Sequence, residues 1–244
     1  MKVLEIKKLT KRFDGVFAVN DLSLEIEKGS VVGIIGPNGS GKTTLVNLLS
    51  GIVPIDKGKV TVNNSKNFTK IKPCQIYSHG ITRTFQHVRL FEQMSVLDNI
   101  LVVLTERNIF GSLFVKYGDH CHKYSKKILE RVNLWDKKDK LVCNLSYGQR
   151  KLLEIARALA TKSKIYFFDE PFAGIFPEMR KIVASIIKEL KLEKKTIILI
   201  EHDMVLIREL CDYLFVLDEG KLLAHGKPDV VLKRKNVVKA YLGE

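Results

Sequence analysis

The run Gly36-Pro37-Asn38-Gly39-Ser40-Gly41-Lys42-Thr43-Thr44 stands between two apolar stretches, Val31-Val32-Gly33-Ile34-Ile35 and Leu45-Val46-Asn47-Leu48-Leu49. A chain that carries it is constrained to place a buried strand, a tight glycine-rich turn and a helix N-terminus in succession. Glycines sit where backbone N–H groups must turn inward, and the helix start brings its partial positive charge to the same spot. This arrangement is a cradle for the phosphates of a nucleoside triphosphate. Within it Lys42 is expected to reach the β- and γ-phosphates and the Thr43 hydroxyl to take Mg²⁺.

With 244 residues and 45% hydrophobic content, the chain can bury a real core and is neither disordered nor fibrous. Its longest apolar runs, such as Ile197-Ile198-Leu199-Ile200, are strand-length and too short to span a bilayer. The start, Met1 to Leu9, alternates charged and apolar residues like a strand and lacks the apolar core of a signal peptide, so a cytoplasmic location is expected. Cys74, Cys121, Cys143 and Cys211 are scattered, as reduced thiols are. Asp119-His120-Cys121-His122 holds metal-ligand residue types, but they are consecutive and diverge, which reads as a solvated loop. A net charge of +14 suits phosphate substrates, anionic lipid or nucleic acid. The densest basic patches, Lys233-Arg234-Lys235 and Lys137-Lys138-Asp139-Lys140, lack interleaved aromatics, and a solvated face beside a membrane is the simpler reading.

Strand-like runs Val3 to Leu9, Leu22 to Ile26, Val31 to Ile35 and Val60 to Val62 surround the phosphate loop, and Ile81 to Phe85 reads as another. From Val96 to Val132 the spacing turns helical, interrupted at Phe110-Gly111-Ser112-Leu113 and Tyr117-Gly118. Alternation then resumes with helix Tyr147 to Ala160, strand Ile165 to Phe168, helix Pro177 to Leu192, strand Thr196 to Ile200, helix Met204 to Leu210 and strand Tyr213 to Leu217. That order predicts a parallel α/β core with crossover helices and a helical insert.

Ile165-Tyr166-Phe167-Phe168-Asp169-Glu170 is a buried strand ending in two carboxylates, and parallel α/β sheets place ligands at such strand ends. Asp169 is the expected Mg²⁺ ligand because the metal takes hard oxygens. Glu170, pointing elsewhere, is the candidate general base for the attacking water. His202 in Ile200-Glu201-His202-Asp203 ends the next strand, should sit beside Glu170, and can report on the γ-phosphate. Gln86 could bring its amide to the metal or the water. Leu145-Ser146-Tyr147-Gly148-Gln149 opens a helix, and the N-terminus carrying Ser146, Gly148 and Gln149 is a second anion site.

These motifs, in this order and over essentially the whole chain, resemble the ATP-binding subunit of ABC transporters. The resemblance implies an ABC ATPase cassette: a P-loop NTPase core with a mainly parallel sheet, an N-terminal antiparallel β subdomain and a helical insert. It implies a single domain over residues 1–244, with a helical subdomain over approximately 90–160 that carries the signature motif and a RecA-like remainder. It implies ATP and Mg²⁺ as ligands, and Phe13 as the aromatic that stacks on adenine. Gly36, Pro37, Asn38, Gly39, Ser40, Gly41, Lys42, Thr43 and Thr44 would hold the phosphates, and Ser146, Tyr147, Gly148 and Gln149 the γ-phosphate of ATP on an opposite subunit. Implied partners are integral-membrane permeases, a second ABC ATPase or another copy of this chain, and indirectly a solute-binding protein. The chain itself would lie on the inner face of the cell membrane, touching neither the solute nor nucleic acid.

Within the superfamily, Arg83-Thr84-Phe85-Gln86, Arg89-Leu90-Phe91, Met94-Ser95-Val96, Glu201-His202-Asp203-Met204, the terminal Ala240-Tyr241-Leu242-Gly243-Glu244 and Tyr147 in the signature are similar to the branched-chain amino acid import group. Urea and lipopolysaccharide systems share these motifs. Ala173-Gly174-Ile175-Phe176 departs from the pattern, since Phe176 replaces a polar residue that normally contacts the opposite subunit, which puts coupling between two ATP sites in question. Two other classes stay open: a soluble ABC ATPase acting on nucleic acid, and a non-hydrolysing regulatory module.

Overall fold

Asp14 and Gly15 both take positive φ, 43° and 95°, which is what a two-residue hairpin turn between right-twisted strands requires. The turn joins β1 (Lys2–Phe13) to β2 (Val16–Glu27), both longer than the apolar runs alone predict. From Leu22 to Ile26 burial alternates residue by residue, so one face of β2 packs inward. β1 also pairs with β4 (Lys57–Val62), which pairs with β5 (Lys66–Phe68), giving an antiparallel sheet in the order β2-β1-β4-β5.

The computed structural model describes residues 1–63, 66–68, 72–104 and 119–242, in two compact units. The first comprises residues 1–83, 164–170 and 187–244, and the second residues 84–163 and 171–186. The predicted interruptions at 110–113 and 117–118, and Gly243 and Glu244 of the terminal motif, lie outside the described residues, as does the side chain of Cys74.

The first unit also holds a six-stranded sheet in the order β10-β9-β3-β8-β7-β6. Its members are β3 (Val31–Ile35), β6 (Ile81–Arg83), β7 (Ile165–Asp169), β8 (Thr196–Ile200), β9 (Tyr213–Asp218) and β10 (Lys221–Gly226). All pairs are parallel except β9 with β10. β3, β7 and β8 are buried at every position, as parallel strands covered on both faces must be. Helix α1 (Lys42–Leu49) follows β3, and its Leu45, Val46, Leu48 and Leu49 join a core shared with Leu4, Ile6, Leu22, Phe167 and Ile198. β10 and its Glu219-Gly220 turn, with φ of 44° and 75°, have no counterpart in the predicted elements.

Helices α2 (Val96–Leu104), α3 (Asp119–Arg131) and α4 (Tyr147–Ala160) build the second unit, together with the first part of α5 (Pro177–Leu192). Asp119-His120-Cys121-His122 is the first turn of α3 and not a loop; successive side chains there point about 100° apart. Cys121, Cys143 and Cys211 are free thiols, and burial pushes the Cys211 thiol up to about 12. The first unit ends with α6 (Met204–Leu210), capped by Asp203, then α7 (Pro228–Val231) and α8 (Lys235–Leu242).

The predicted strand Ile81 to Phe85 stops at Arg83. Ladder pairing with β7 covers only Ile81, Thr82 and Arg83. Beyond it, side chains of the second unit take the backbone. Glu154 Oε1 accepts from the Phe85 and Arg89 N–H groups at 3.1 and 3.4 Å. Lys151 Nζ donates to the Phe85 and Gln86 carbonyls at 3.2 and 3.1 Å, and Arg157 to the Arg89 carbonyl at 2.7 Å. Asn99 both donates to and accepts from the Phe91 backbone, each at 3.0 Å. An irregular chain segment this close to a core needs such partners for its peptide groups.

Candidate functional site

The phosphate loop connects the end of β3 to the start of α1. Gly41, the residue before the helix, has φ 97°, and a Cβ there would lie 2.3 Å from the Ala18 carbonyl oxygen, so both conformation and space exclude any side chain. Gly39, with φ 81°, has no atom within 4 Å of where its Cβ would be, so conformation alone asks for glycine there. Asn38, Gly39 and Thr43 are exposed, whereas Ser40 and Lys42 are buried. Pro37 and Thr44 are half-buried.

Lys42 folds back over its own loop, with Nζ donating to the Gly36 carbonyl at 2.7 Å and the Pro37 carbonyl at 2.9 Å. Burial pushes its ammonium down, opposed by the nearby Glu170 and Asp169 carboxylates. Those carbonyls are weak partners for an ammonium compared with phosphate oxygens, so a triphosphate fits the cradle by taking over a cation already aimed into it.

Asp169 closes β7 and is buried, with Oδ2 accepting from Arg83 Nη2 at 2.7 Å. Glu170 follows with φ 48°, a left-handed backbone unusual for a residue with a side chain. Its N–H bonds the Ile200 carbonyl at 3.0 Å, and its Oε1 lies 3.0 Å from Nε2 of the exposed His202. With the proton on Nε2, His202 donates to that carboxylate. The sheet register puts Asp169 opposite Ile200, which brings the two strand ends together.

At the hairpin tip Phe13 is 45% exposed, so it is not a core residue. Lys11 Nζ lies 5.1 Å from its ring centroid and is held by Asp56 at 2.8 Å. From the other end of the chain, Tyr241 in α8 approaches Gly36, the loop's first residue, and burial pushes its phenol up to about 12. Neither Tyr241 nor Arg83 was assigned a role by sequence reasoning. For Arg83 the signal was a lone cation in the middle of a predicted strand.

In the second unit, Ser146 caps α4. Its Oγ accepts from the Gln149 N–H at 3.3 Å, and Gln149 Oε1 accepts from the Ser146 N–H at 3.1 Å. Gly148 faces Met179, whose sulfur would lie 2.4 Å from an added Cβ. Tyr147 is exposed and lies against Gly174, where a Cβ would come to 3.0 Å of its ring. Ile175 is buried, but Phe176 is 69% exposed. Gln86 is exposed, three residues past the end of β6 and not at a strand end as predicted. Lys151 and Glu154, which hold its segment, escaped sequence reasoning too, although two charges three apart on an otherwise apolar helix face were the available sign.

The family model described as "ABC transporter" matches residues 19–173, well over half the chain and including the loop and both strand-end carboxylates. The chain belongs to the ABC transporter family. This cassette is 37% identical to the high-affinity branched-chain amino acid transport ATP-binding protein LivG of Salmonella typhimurium, over 99% of this chain and 98% of that protein. It is also 37% identical to BraF of Pseudomonas aeruginosa, again over 99% and 98% of the two chains. A nucleotide-free ATP-binding cassette from an ABC transporter superposes with a TM-score of 0.87 at 35% identity, covering all of both chains. The ADP conformation of MJ1267, an ATP-binding cassette of an ABC transporter, gives 0.86 at 35%, with the same coverage. The cassette is therefore an ATP-binding ATPase fold, with a mixed sheet, an antiparallel N-terminal sheet and a set of helices. Among the described residues no helix is long and apolar enough to cross a membrane.

Proposed function

We propose that this cassette is the ATP-hydrolysing subunit of a membrane importer for branched-chain amino acids, lying against permease subunits on the inner face of the cell membrane. The observation that carries the reading is the near-full-length likeness to LivG and BraF, joined to the phosphate loop, Asp169, Glu170 and His202 in one unit. Phe13 offers an exposed face for adenine, and the loop from Gly36 to Thr44 wraps the phosphates with Lys42 turned onto them. Thr43 and Asp169 supply the hard oxygens that magnesium takes, and the metal would neutralise charge on the phosphate oxygens. Glu170 holds and deprotonates the attacking water, while His202 fixes the carboxylate and senses the γ-phosphate.

Ser146, Tyr147, Gly148 and Gln149 serve the ATP of an opposing cassette, so binding energy becomes interface energy and closes a dimer. That dimer pairs two copies of this chain or this chain with a second ABC ATPase. Permeases dock on the segment from Gln86 to Met94, which passes the closure on to them, and a solute-binding protein delivers cargo on the far side. Glu170→Gln is expected to keep ATP affinity, to slow hydrolysis by about 10²- to 10⁴-fold and to trap a closed dimer in Mg-ATP. Lys42→Ala is expected to abolish turnover. Size-exclusion chromatography with light scattering and a phosphate-release assay check both, and a Glu170→Gln protein that stays monomeric in saturating Mg-ATP overturns the dimer mechanism. Loss of leucine uptake on deleting the chain from its cell checks the solute.

A further inference from the structure

Arg83 is the one member of Arg83-Thr84-Phe85-Gln86 that belongs to the first unit, and its side chain lies at a junction of three elements there. Nη2 donates to Asp169 Oδ2 at 2.7 Å, at the end of β7. Nη1 donates to Asn47 Oδ1 at 2.7 Å and to Ser50 Oγ at 2.8 Å, on and just past α1, the helix that opens with Lys42 and Thr43. Both charged side chains are about 95% buried. A guanidinium is planar and presents its donors as a rigid fork, so three bonds to two elements fix its plane and, through it, the carboxylate it holds.

We infer that Arg83 is a positioning residue for the metal carboxylate, setting Asp169 against the helix that carries the phosphate loop before a divalent cation arrives. This rests on the reading of Asp169 as a metal ligand. One carboxylate oxygen is committed to Arg83, and the group is held in a single orientation relative to Thr43, the other oxygen donor. Outer-shell partners of this kind commonly account for 10- to 100-fold in metal affinity when removed, because an unheld carboxylate must be ordered by the metal itself. Lysine, with a single flexible ammonium, cannot reproduce both arms of the fork. Asn47 is the test of the second arm, since its Oδ1 accepts from Arg83 Nη1 whereas Asp169 is held by Nη2.

Mn²⁺ reports the site through its paramagnetism, and a non-hydrolysable ATP analogue kept equimolar with the purified chain prevents turnover and limits chelation by free nucleotide. Free Mn²⁺ is counted by electron paramagnetic resonance during the titration, and ATP affinity in EDTA is measured alongside by calorimetry. Arg83→Met is expected to weaken Mn²⁺ by about 10- to 100-fold while metal-free ATP affinity stays within about twofold. Arg83→Lys and Asn47→Ala are expected to fall between it and the parent, and they keep the test open should Arg83→Met fail to fold. Equal weakening of Mn²⁺ and metal-free ATP by these variants would mean that Arg83 only supports the fold, and unchanged Mn²⁺ affinity would overturn the inference outright. Asp169→Asn in the same titration separates the two claims. If it leaves Mn²⁺ affinity intact, the metal reading of Asp169 fails; if it alone weakens the metal, only the role of Arg83 fails.

Discussion

The two units each bury a set of charges, and they use them differently. In the first, Arg83 meets Asp169, charge against charge at 2.7 Å, with neutral side chains completing the fork. In the second, Lys151 and Glu154 turn to the main chain and bind the peptide groups of Phe85, Gln86 and Arg89 at 3.1 to 3.4 Å. A buried ion pair between two strand ends orients a ligand-type oxygen. Buried charges facing a backbone hold an irregular segment in a shape that no sheet or helix would give it.

If that contrast is right, the largest effect belongs to the ion pair. Arg83→Met leaves a buried carboxylate without its guanidinium and is expected to cost about 3–5 kcal/mol in denaturant unfolding. Lys151→Met removes the donor to the Phe85 and Gln86 carbonyls, and about 1–3 kcal/mol is expected, with the loss concentrated in faster amide exchange over residues 85–91. Equal costs for the two variants would break the distinction. The smallest effect is a change of slope. Burial raises the Glu154 carboxyl above its ordinary 4.5, against the pull of its backbone donors and of Lys151 and Arg157. A folded-state value above the unfolded one means that the stability tied to this group is complete below pH 4.5 and lost as pH rises through the folded value. Glu154→Gln keeps an acceptor oxygen but does not titrate, so its stability relative to the parent should improve from pH 4.5 upward and then level off. Parallel pH profiles for the two proteins would show that Glu154 stays ionised at no cost.

Much of the first unit was legible because its signals are local. The phosphate loop, the carboxylates at 169 and 170 and His202 all follow short uninterrupted apolar runs, and the register of β7 with β8 brings the last two within 3.0 Å. Hairpins were legible in principle, since Asp14-Gly15 is a turn signal, but the polar residues of β1 and β2 hid how far the strands run. The stretch after Arg83 misled for a different reason. Thr84 and Phe85 have strand propensity, yet pairing depends on whether a neighbouring edge continues, and here side chains from α4, more than sixty residues on, take the peptide groups instead. Distant side chains that replace a ladder leave no trace in a local window.

The left-handed backbone at Glu170 carries a consequence for the chain's history. At φ 48° the position is comfortable for glycine and tolerable for asparagine or aspartate, while glutamate is held there against its preference by its surroundings. On the reading of Glu170 as the base proposed above, chemistry keeps the residue while its backbone conformation opposes it. A duplicated copy released from hydrolysis, retained only to complete a pair, would feel the conformational pressure alone. Drift at this one codon toward glycine or asparagine would then mark which half of such a pair has fallen catalytically silent, well before its phosphate loop decays.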